Sequence, residues 1–264
     1  MMRWSDTKGR ERSAVVVNST SQSELLNDLE TRLGRDDGFN IATLNLDHVV
    51  KLRKDPDFRA AYLSHSHVTA DGNPIVWLSR LAGDEVELVP GSELIAPVAA
   101  MAARLDIPVA LFGSTTASLN TAAAALQDRY PGLQIAEAIS PPMGFAPTGQ
   151  MADECADRLA ASGARICFLA LGAPKQEIFA AHALARHPHM GFLSIGAGLD
   201  YISGTQVRAP RLVRRFAGEW LWRLLSNPRR LAWRYVACLA VLPRMLTRAL
   251  AARLSARFSG ERAA

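Results

Sequence analysis

Cysteine is scarce in this chain of 264 residues, and long hydrophobic runs are missing. The three cysteines (Cys155, Cys167 and Cys238) lie far apart without CxxC or Cys/His ligand spacing, which argues against a disulfide scaffold and a zinc site and fits a reducing compartment. The N-terminus has no apolar stretch before Ala14–Val17, so no secretory signal peptide is predicted. A membrane-spanning helix needs about 20 apolar residues, and the longest candidate, Tyr235–Pro243, is much shorter. We therefore expect a cytosolic chain without a spanning helix.

Acidic residues are almost missing from the C-terminal fifth of the chain. The 57 residues from Arg208 onward, which we call the basic tail, contain 13 arginines and two acidic residues, a net charge of +11; residues 1–207 carry −6, and the whole chain +5. Prolines divide the basic tail into three helical pieces, in which residues 220–235 interleave aromatic side chains with arginine. Such a segment binds nucleic acid, caps the domain, or lies in an anionic membrane interface. No nucleic-acid recognition motif occurs, so the membrane is favoured.

Short β-branched or apolar runs alternate with helical stretches between residues 13 and 207. We predict strands at Ala14–Val17, Phe39–Thr43, His67–Ala70, Val86–Val89, Pro108–Phe112, Gln134–Ala138, Arg165–Leu171 and Met190–Ile195. Strands that alternate with helices form mainly parallel sheets. The sequence therefore predicts an α/β fold: a Rossmann-like, mainly parallel sheet flanked by helices at 1–207, followed by an all-helical, basic appendage at 208–264.

Polar side chains follow two of the predicted strands at their carboxyl ends, where ligands bind in such sheets. Asp71 follows one strand and precedes Gly72, so it is either a general base for an attacking hydroxyl or a turn aspartate that bonds its own backbone. Thr43 and Asn45 leave another strand and offer a hydroxyl and an amide, which orient a substrate or cap the next helix. Asp71, Thr43 and Asn45 are the candidate catalytic residues.

Glycine-containing loops follow other predicted strands and offer backbone amides to an anion such as a diphosphate. Ser114 opens one helix, either beside an anion or within its N-cap, while Lys175 opens another. Asp200 can accept hydrogen bonds from a ribose or a base. No loop follows the GxGxxG or GxxxxGK order, which disfavours NAD and ATP chemistry. The candidate substrate-binding residues of these loops are Gly113, Ser114, Gly172, Lys175, Gln176, Gly196, Gly198 and Asp200.

Eight motifs follow one another in the chain: Thr43–Asn45, Ala70–Trp77, Pro90–Glu93, Leu171–Glu177, Gly196–Asp200, Gly204, Arg208–Pro210 and Glu219–Arg223. Together they resemble the WecG/TagA/CpsF family, glycosyltransferase family 26. The resemblance implies transfer of a sugar from a UDP-sugar to a saccharide on a polyprenyl diphosphate. It also implies a peripheral enzyme at the cytoplasmic face of the bacterial inner membrane, with no obligatory metal or other cofactor and no nucleic-acid partner.

The resemblance also implies roles for single residues. Asp71 matches the family's catalytic base, Gln176 matches its Pro-Lys-Gln-Glu glutamine, and Asp200 matches an aspartate near the nucleotide. An arginine-rich appendage is thought to cover the active site and to touch both membrane and diphosphate. Its candidates here are Arg208, Arg211, Arg214, Arg223 and Arg230, of which Arg208 and Arg223 stand in recognisable motifs. The sequence departs from the family at Leu44, where many members have proline, and at 248–264, which extends beyond the matched part.

The sequence Asp-Gly-Asn-Pro-Ile-Val-Trp at 71–77 is closer to the antigen and exopolysaccharide branch than to the teichoic acid branch. It therefore favours a UDP-hexose such as UDP-glucose, with UDP-N-acetylmannosamine or its uronic acid as the alternative. We expect an inverting hexosyltransferase of exopolysaccharide or surface-glycan biosynthesis, compatible with a homo-oligomer. Two other classes stay open: a nicotinamide-dependent oxidoreductase, and a non-catalytic membrane scaffold in a polysaccharide assembly complex. An oxidoreductase would bind NAD(H), whereas a glycosyltransferase would bind UDP. A non-catalytic scaffold would tolerate the loss of Asp71.

Overall fold

The computed structural model of the chain describes residues 1–5, 14–207, 209–210, 213, 218–226 and 228–260. Six strands run through the described part: β1 Phe39–Leu44, β2 His67–Ala70, β3 Val109–Gly113, β4 Ile135–Ile139, β5 Ile166–Ala170 and β6 Gly191–Ser194. The helices are α1 Gln22–Gly34, α2 Leu46–Lys54, α3 Pro56–Ser64, α4 Asn73–Ala82, α5 Gly91–Arg104, α6 Thr116–Arg129, α7 Gln150–Ala161, α8 Lys175–Arg186, α9 Gly198–Ile202, α10 Glu219–Ser226 and α11 Pro228–Gly260.

The strands form one sheet in the order β2-β1-β6-β5-β3-β4, and every neighbouring pair is parallel. Leu44 at the end of β1 pairs with Ala70 at the end of β2, and Leu169 in β5 pairs with Ser194 in β6. The carboxyl ends of the strands therefore lie along one edge of the sheet. Helices α2, α4, α6, α8 and α9 begin just after strands and start at this edge. The predicted Rossmann-like α/β fold is confirmed.

Helices cover both faces of the sheet, and the side chains of each strand alternate between them. In β1, Phe39 and Ile41 enter the core beneath α1, α5 and α6, whereas Ala42 and Leu44 enter the core beneath α2, α3 and α4. A third cluster under α7 and α8 contains stacked rings of Phe112 and Phe179. Burial of both faces explains why β3 and β5 are continuous apolar runs in the sequence.

Two of the strand predictions are wrong. Ala14–Val17 has the alternation of a half-buried strand, with Val15 and Val17 buried, but it forms no ladder with any described residue. Val86–Val89 forms an isolated bridge between Leu88 and Ala70 and accepts a hydrogen bond from the Thr69 hydroxyl, but it forms no ladder with the described strands. Both segments flank β2, whose outer backbone groups are already bonded: the Val68 N–H donates to the Asn18 side chain, the Val68 carbonyl accepts from Asn18 and Ser19, and the Ala70 carbonyl accepts from Val89.

Helix α11 lies along the α/β body and has two apolar faces. One face buries Val241, Met245 and Ala249 in the cluster beneath α2 and α4, and a fully buried aliphatic side chain contributes about 1.5–3 kcal/mol. The opposite face, which we call the exposed stripe of α11, consists of Val236, Leu239, Leu246, Leu250 and Leu254.

By length and composition alone, residues Leu231–Ala256 of α11 suffice to cross a membrane, with a mean hydropathy of 1.4 over the most apolar window, of which 22% is buried. This differs from our expectation of no such helix, because the apolar stretch continues through Pro243 without a break in the helix. Arginines interrupt the same stretch at 234, 244, 248 and 253. The predicted division at 207/208 is not tested by these contacts and stays a prediction.

Candidate active site

Asp71 lies where β1 and β2 end side by side. Its backbone N–H donates to the Leu44 carbonyl at 2.8 Å, which continues the β1–β2 pairing by one step. The Thr43 hydroxyl and the Asn45 side-chain amide each donate to Asp71 Oδ2 at 3.5 Å, the long limit of hydrogen bonding. The structure therefore brings the three candidate catalytic residues together. A half-buried carboxylate, oriented by a hydroxyl and an amide, can accept a proton from a substrate hydroxyl.

Asn45 has two roles at once. Its Oδ1 accepts from the backbone N–H of His48 and so caps α2, while its Nδ2 faces Asp71. The helix-capping role of Asn45 is therefore confirmed, and its role in orienting a substrate stays a prediction. Thr43 is buried, and its methyl group lies against Gly91 at the start of α5. A Cβ at Gly91 would lie 2.5 Å from a backbone oxygen of β6, so only glycine lets α5 begin this close to the edge.

A second group of polar side chains lies between the loop after β3 and helix α9. Asp200 accepts from the hydroxyls of Ser114 at 2.5 Å and Ser118 at 3.1 Å through Oδ1, and from Gln206 Nε2 at 2.8 Å through Oδ2. Thr115, rather than Ser114, caps α6. The loop and α9 are thereby joined around one carboxylate. Neither Ser118 nor Gln206 carries a motif that sequence reasoning could have used.

Gln176 holds two loops that leave neighbouring strands. Its Oε1 accepts from the backbone N–H of Gly172 at 3.2 Å, after β5, and of Gly196 at 3.1 Å, after β6. Both glycines have positive φ, 73° and 58°, where a side chain would be strained. We call this arrangement the Gln176 clamp. Because Gln176 is buried, its main contacts are to the protein, a role that the sequence did not predict.

Other predicted residues shape the same edge. Gly113 lies so close to β5 that a Cβ would meet the Ala170 carbonyl at 2.5 Å, and a Cβ at Gly198 would collide with the side chain of Ile95. Lys175 is partly exposed at the first turn of α8 and places a cation at this helix end. Backbone amides at helix N-termini and a nearby cation favour an anion.

Buried polar groups lie beneath Asp71. The Tyr62 hydroxyl and His48 Nδ1 share a hydrogen bond of 2.6 Å, and the His48 ring also bonds the backbone of Thr43. Burial lowers the pKa of His48 to about 3, so its ring is neutral. The pKa of Tyr62 is raised well above its ordinary value by burial first, and then by carboxylates that include Glu177 and Asp71. This neutral layer supports the floor of the site.

The candidate arginines of the basic tail are not placed by the structure. Arg208, Arg211 and Arg214 lie outside the described residues. Arg223 belongs to α10 and Arg230 to α11, but the described part does not include their side chains. Their expected contacts with diphosphate or lipid therefore stay predictions.

A carboxylate at the carboxyl edge of a parallel sheet, beside helix N-termini that favour an anion, fits a doubly wound α/β enzyme with its ligand site at this edge. Comparison with known proteins makes this class specific. The chain belongs to the glycosyl transferase WecG/TagA/CpsF family, whose model matches residues 12–259. The protein is a glycosyltransferase, as the motifs implied, and this membership replaces the oxidoreductase alternative.

A curated relative from Bacillus spizizenii is 30% identical over 207 residues, which is 77% of this chain and 77% of the relative. It is named N-acetylglucosaminyldiphosphoundecaprenol N-acetyl-beta-D-mannosaminyltransferase. That name describes transfer of N-acetylmannosamine to N-acetylglucosamine on undecaprenyl diphosphate. The sugar in that name is N-acetylmannosamine, whereas the sequence favoured a hexose such as glucose.

Proposed function

We propose that this protein transfers N-acetylmannosamine from its UDP derivative to N-acetylglucosamine linked to a polyprenyl diphosphate. The observation that carries the proposal is the group of Asp71, Thr43 and Asn45 at the carboxyl edge of the sheet. Family membership supports sugar transfer, and the relative's name supports this donor sugar and acceptor. The UDP-hexose and exopolysaccharide assignments have no such support, so the donor proposed from the sequence as the alternative now comes first.

The proposed reaction is a single displacement with inversion at the anomeric carbon. The acceptor hydroxyl attacks that carbon as Asp71 takes its proton, and the bond from the carbon to UDP breaks with both electrons leaving on the diphosphate. Thr43 and Asn45 both hold Oδ2 of Asp71, which orients the carboxylate toward the acceptor. General-base assistance of this kind contributes about 10²–10⁴-fold to the rate.

The departing diphosphate needs positive potential where charge develops. We place it against the loops after β3, β5 and β6, where helices α6, α8 and α9 begin and where Lys175 stands. Backbone amides, Lys175 and arginines of the basic tail then stabilise the leaving group without an obligatory metal. Activity should persist in EDTA, and a loss restored by a divalent cation would reject this part of the proposal.

We also propose that the protein binds the cytoplasmic face of the bacterial inner membrane through the exposed stripe of α11. Apolar side chains on one face with arginines alongside are typical of helices that lie in an anionic interface. Trp233, which is 81% exposed, adds an aromatic side chain of the type that sits at the headgroup level. A lipid-linked acceptor would reach the site from that surface.

The test is a transfer assay with the full chain and membrane vesicles that contain polyprenyl-diphosphate N-acetylglucosamine or polyprenyl-diphosphate glucose. UDP-N-acetylmannosamine, UDP-N-acetylglucosamine and UDP-glucose are compared as donors. We expect product from N-acetylmannosamine on the N-acetylglucosamine acceptor, with inverted anomeric configuration. Transfer of glucose in preference would restore the hexose assignment, and no UDP-dependent transfer from any donor would reject the reaction.

A further inference from the structure

Glu177 is a fully buried carboxyl group next to the Gln176 clamp. It is the third residue of α8, and its exposed fraction is 0%. One oxygen, Oε1, accepts from Gln176 Nε2 at 2.8 Å. The other, Oε2, is buried without a hydrogen-bond partner among the described residues. A carboxyl group in such surroundings costs stability.

The Gln176 amide needs an acceptor on its nitrogen side. Its Oε1 uses its two acceptor positions on the N–H groups of Gly172 and Gly196, so the rest of its hydrogen bonding rests on Nε2. Gln176 is 2% exposed, which removes water as a general substitute. Without Glu177 the amide would bury an unpaired N–H group or rotate toward another acceptor. Rotation would withdraw Oε1 from the two loops.

The two loops of the clamp carry residues for the donor. The first leads from β5 into Lys175, and the second leads from β6 into α9, which contains Asp200. A displacement at Gly172 or Gly196 would therefore move a cation or a carboxylate of the donor side. Asp71 lies outside these loops, after β2.

We propose that Glu177 is a positioning residue, which fixes the Gln176 amide and thereby the spacing of the two loops that bind the nucleotide diphosphate of the donor. This proposal rests on the proposed function for the identity of that ligand. The burial that surrounds Glu177 raises its pKa to about 7, so the group is substantially protonated near neutral pH. A protonated carboxyl keeps an acceptor oxygen for Gln176 and adds little negative charge under a diphosphate.

The test compares four variants of the full chain. E177M has the unbranched shape of glutamate without an acceptor, and E177D withdraws the carboxylate by one methylene. E177Q keeps an acceptor oxygen at the same reach. F179L is the control, because it truncates a fully buried ring of the same helix that stacks on Phe112. If E177M does not fold, the comparison of E177D with E177Q tests the proposal instead.

Two readouts separate positioning from general stability. Amide hydrogen exchange at Gly172 and Gly196, measured without substrate, should be about tenfold faster in E177M and E177D, as expected for the loss of about one hydrogen bond. The KM for the UDP-sugar should rise by a similar factor, while kcat changes less than about twofold. E177Q and F179L should keep wild-type exchange and KM, whatever their melting temperatures.

Unchanged exchange and KM in a folded E177M or E177D would overturn the proposal, and so would equal impairment of E177Q and E177M. The exchange experiment needs no substrate, so it separates the two proposals. Faster exchange in a protein that transfers no sugar from UDP would keep the positioning role and reject the function. Unchanged exchange in an active enzyme would reject the positioning role of Glu177 and keep the proposed function.

Discussion

Replacement of Asp71 by asparagine separates proton transfer from the geometry of the site. Asparagine has the size of aspartate, and its Oδ1 can still accept from Thr43 Oγ1 and Asn45 Nδ2. The variant therefore loses only the ability to take a proton. General-base catalysis is worth about 10²–10⁴-fold, so kcat should fall by at least about 100-fold, or about 2.7 kcal/mol of transition-state stabilisation. UDP binding should be unchanged, because the base acts on the acceptor.

The assay measures kcat with both substrates saturating and the Kd for UDP by calorimetry. Asp57→Asn is the matched control, since it removes an exposed carboxylate from α3 and should leave kcat unchanged. Thr43→Val removes one long hydrogen bond to Asp71 and should cost about 0.5–1.5 kcal/mol, or roughly 2–12-fold in kcat. If Asp71→Asn kept more than a tenth of wild-type kcat, the general-base assignment would be wrong, and near-normal activity would reject the role of Asp71 altogether.

Three further outcomes follow from burial and contact. Gly91→Ala places a Cβ 2.5 Å from a backbone oxygen of β6 and should lower the free energy of unfolding by about 1–3 kcal/mol in denaturant titrations. The control is Gly34→Ala, whose Cβ meets nothing within 4 Å and which should not lower that free energy. Burial lowers the pKa of His48 to about 3, so between about pH 6.5 and pH 3 the unfolded chain binds a proton at this residue that the folded chain does not. The stability that the neutral, buried His48 contributes is therefore complete above about pH 6.5 and is lost as the pH falls toward 3. A His48→Gln variant whose stability falls with acid as steeply as that of the wild type would refute this assignment. Leu246→Glu, on the exposed stripe of α11, should abolish vesicle binding at an unchanged melting temperature. The control Met245→Glu places the same charge at a buried position and should unfold the chain. Vesicle binding by a folded Leu246→Glu variant would reject the proposed membrane surface.

The sheet could be predicted because its strands are short apolar runs that alternate with helices. Burial on both faces gives β3 and β5 continuous apolar sequences, which are recognisable without the structure. The same signal predicted a strand at Ala14–Val17, where Val15 and Val17 are buried but no ladder forms. Apolar alternation reports burial of a face and not hydrogen bonding, so it cannot distinguish an extended segment from a strand.

The grouping of the three candidate catalytic residues could be predicted for a topological reason. Thr43, Asn45 and Asp71 follow two strands, and parallel strands bring their carboxyl ends to one edge. Their distances required the register of β1 on β2, which the sequence does not specify. The Gln176 clamp could not be predicted, because it depends on the direction of one side chain between loops 4 and 20 residues away. Glycine at 172 and 196 was the signal, but it indicated ligand contact equally well.

The basic helix α11 connects the proposed membrane surface with the candidate catalytic residues. Helix α2 begins directly after Asn45, and α4 begins two residues after Asp71. Helix α11 packs on both of these helices, and Arg234 of α11 pairs with Asp47 of α2 at 3.2 Å. A basic helix is thus fixed by apolar packing and an ion pair to the two elements that hold the proposed base and its amide partner. Because the opposite face of α11 is the exposed apolar stripe, a membrane bound there would lie at a set position relative to Asp71, as transfer to a lipid-linked sugar requires.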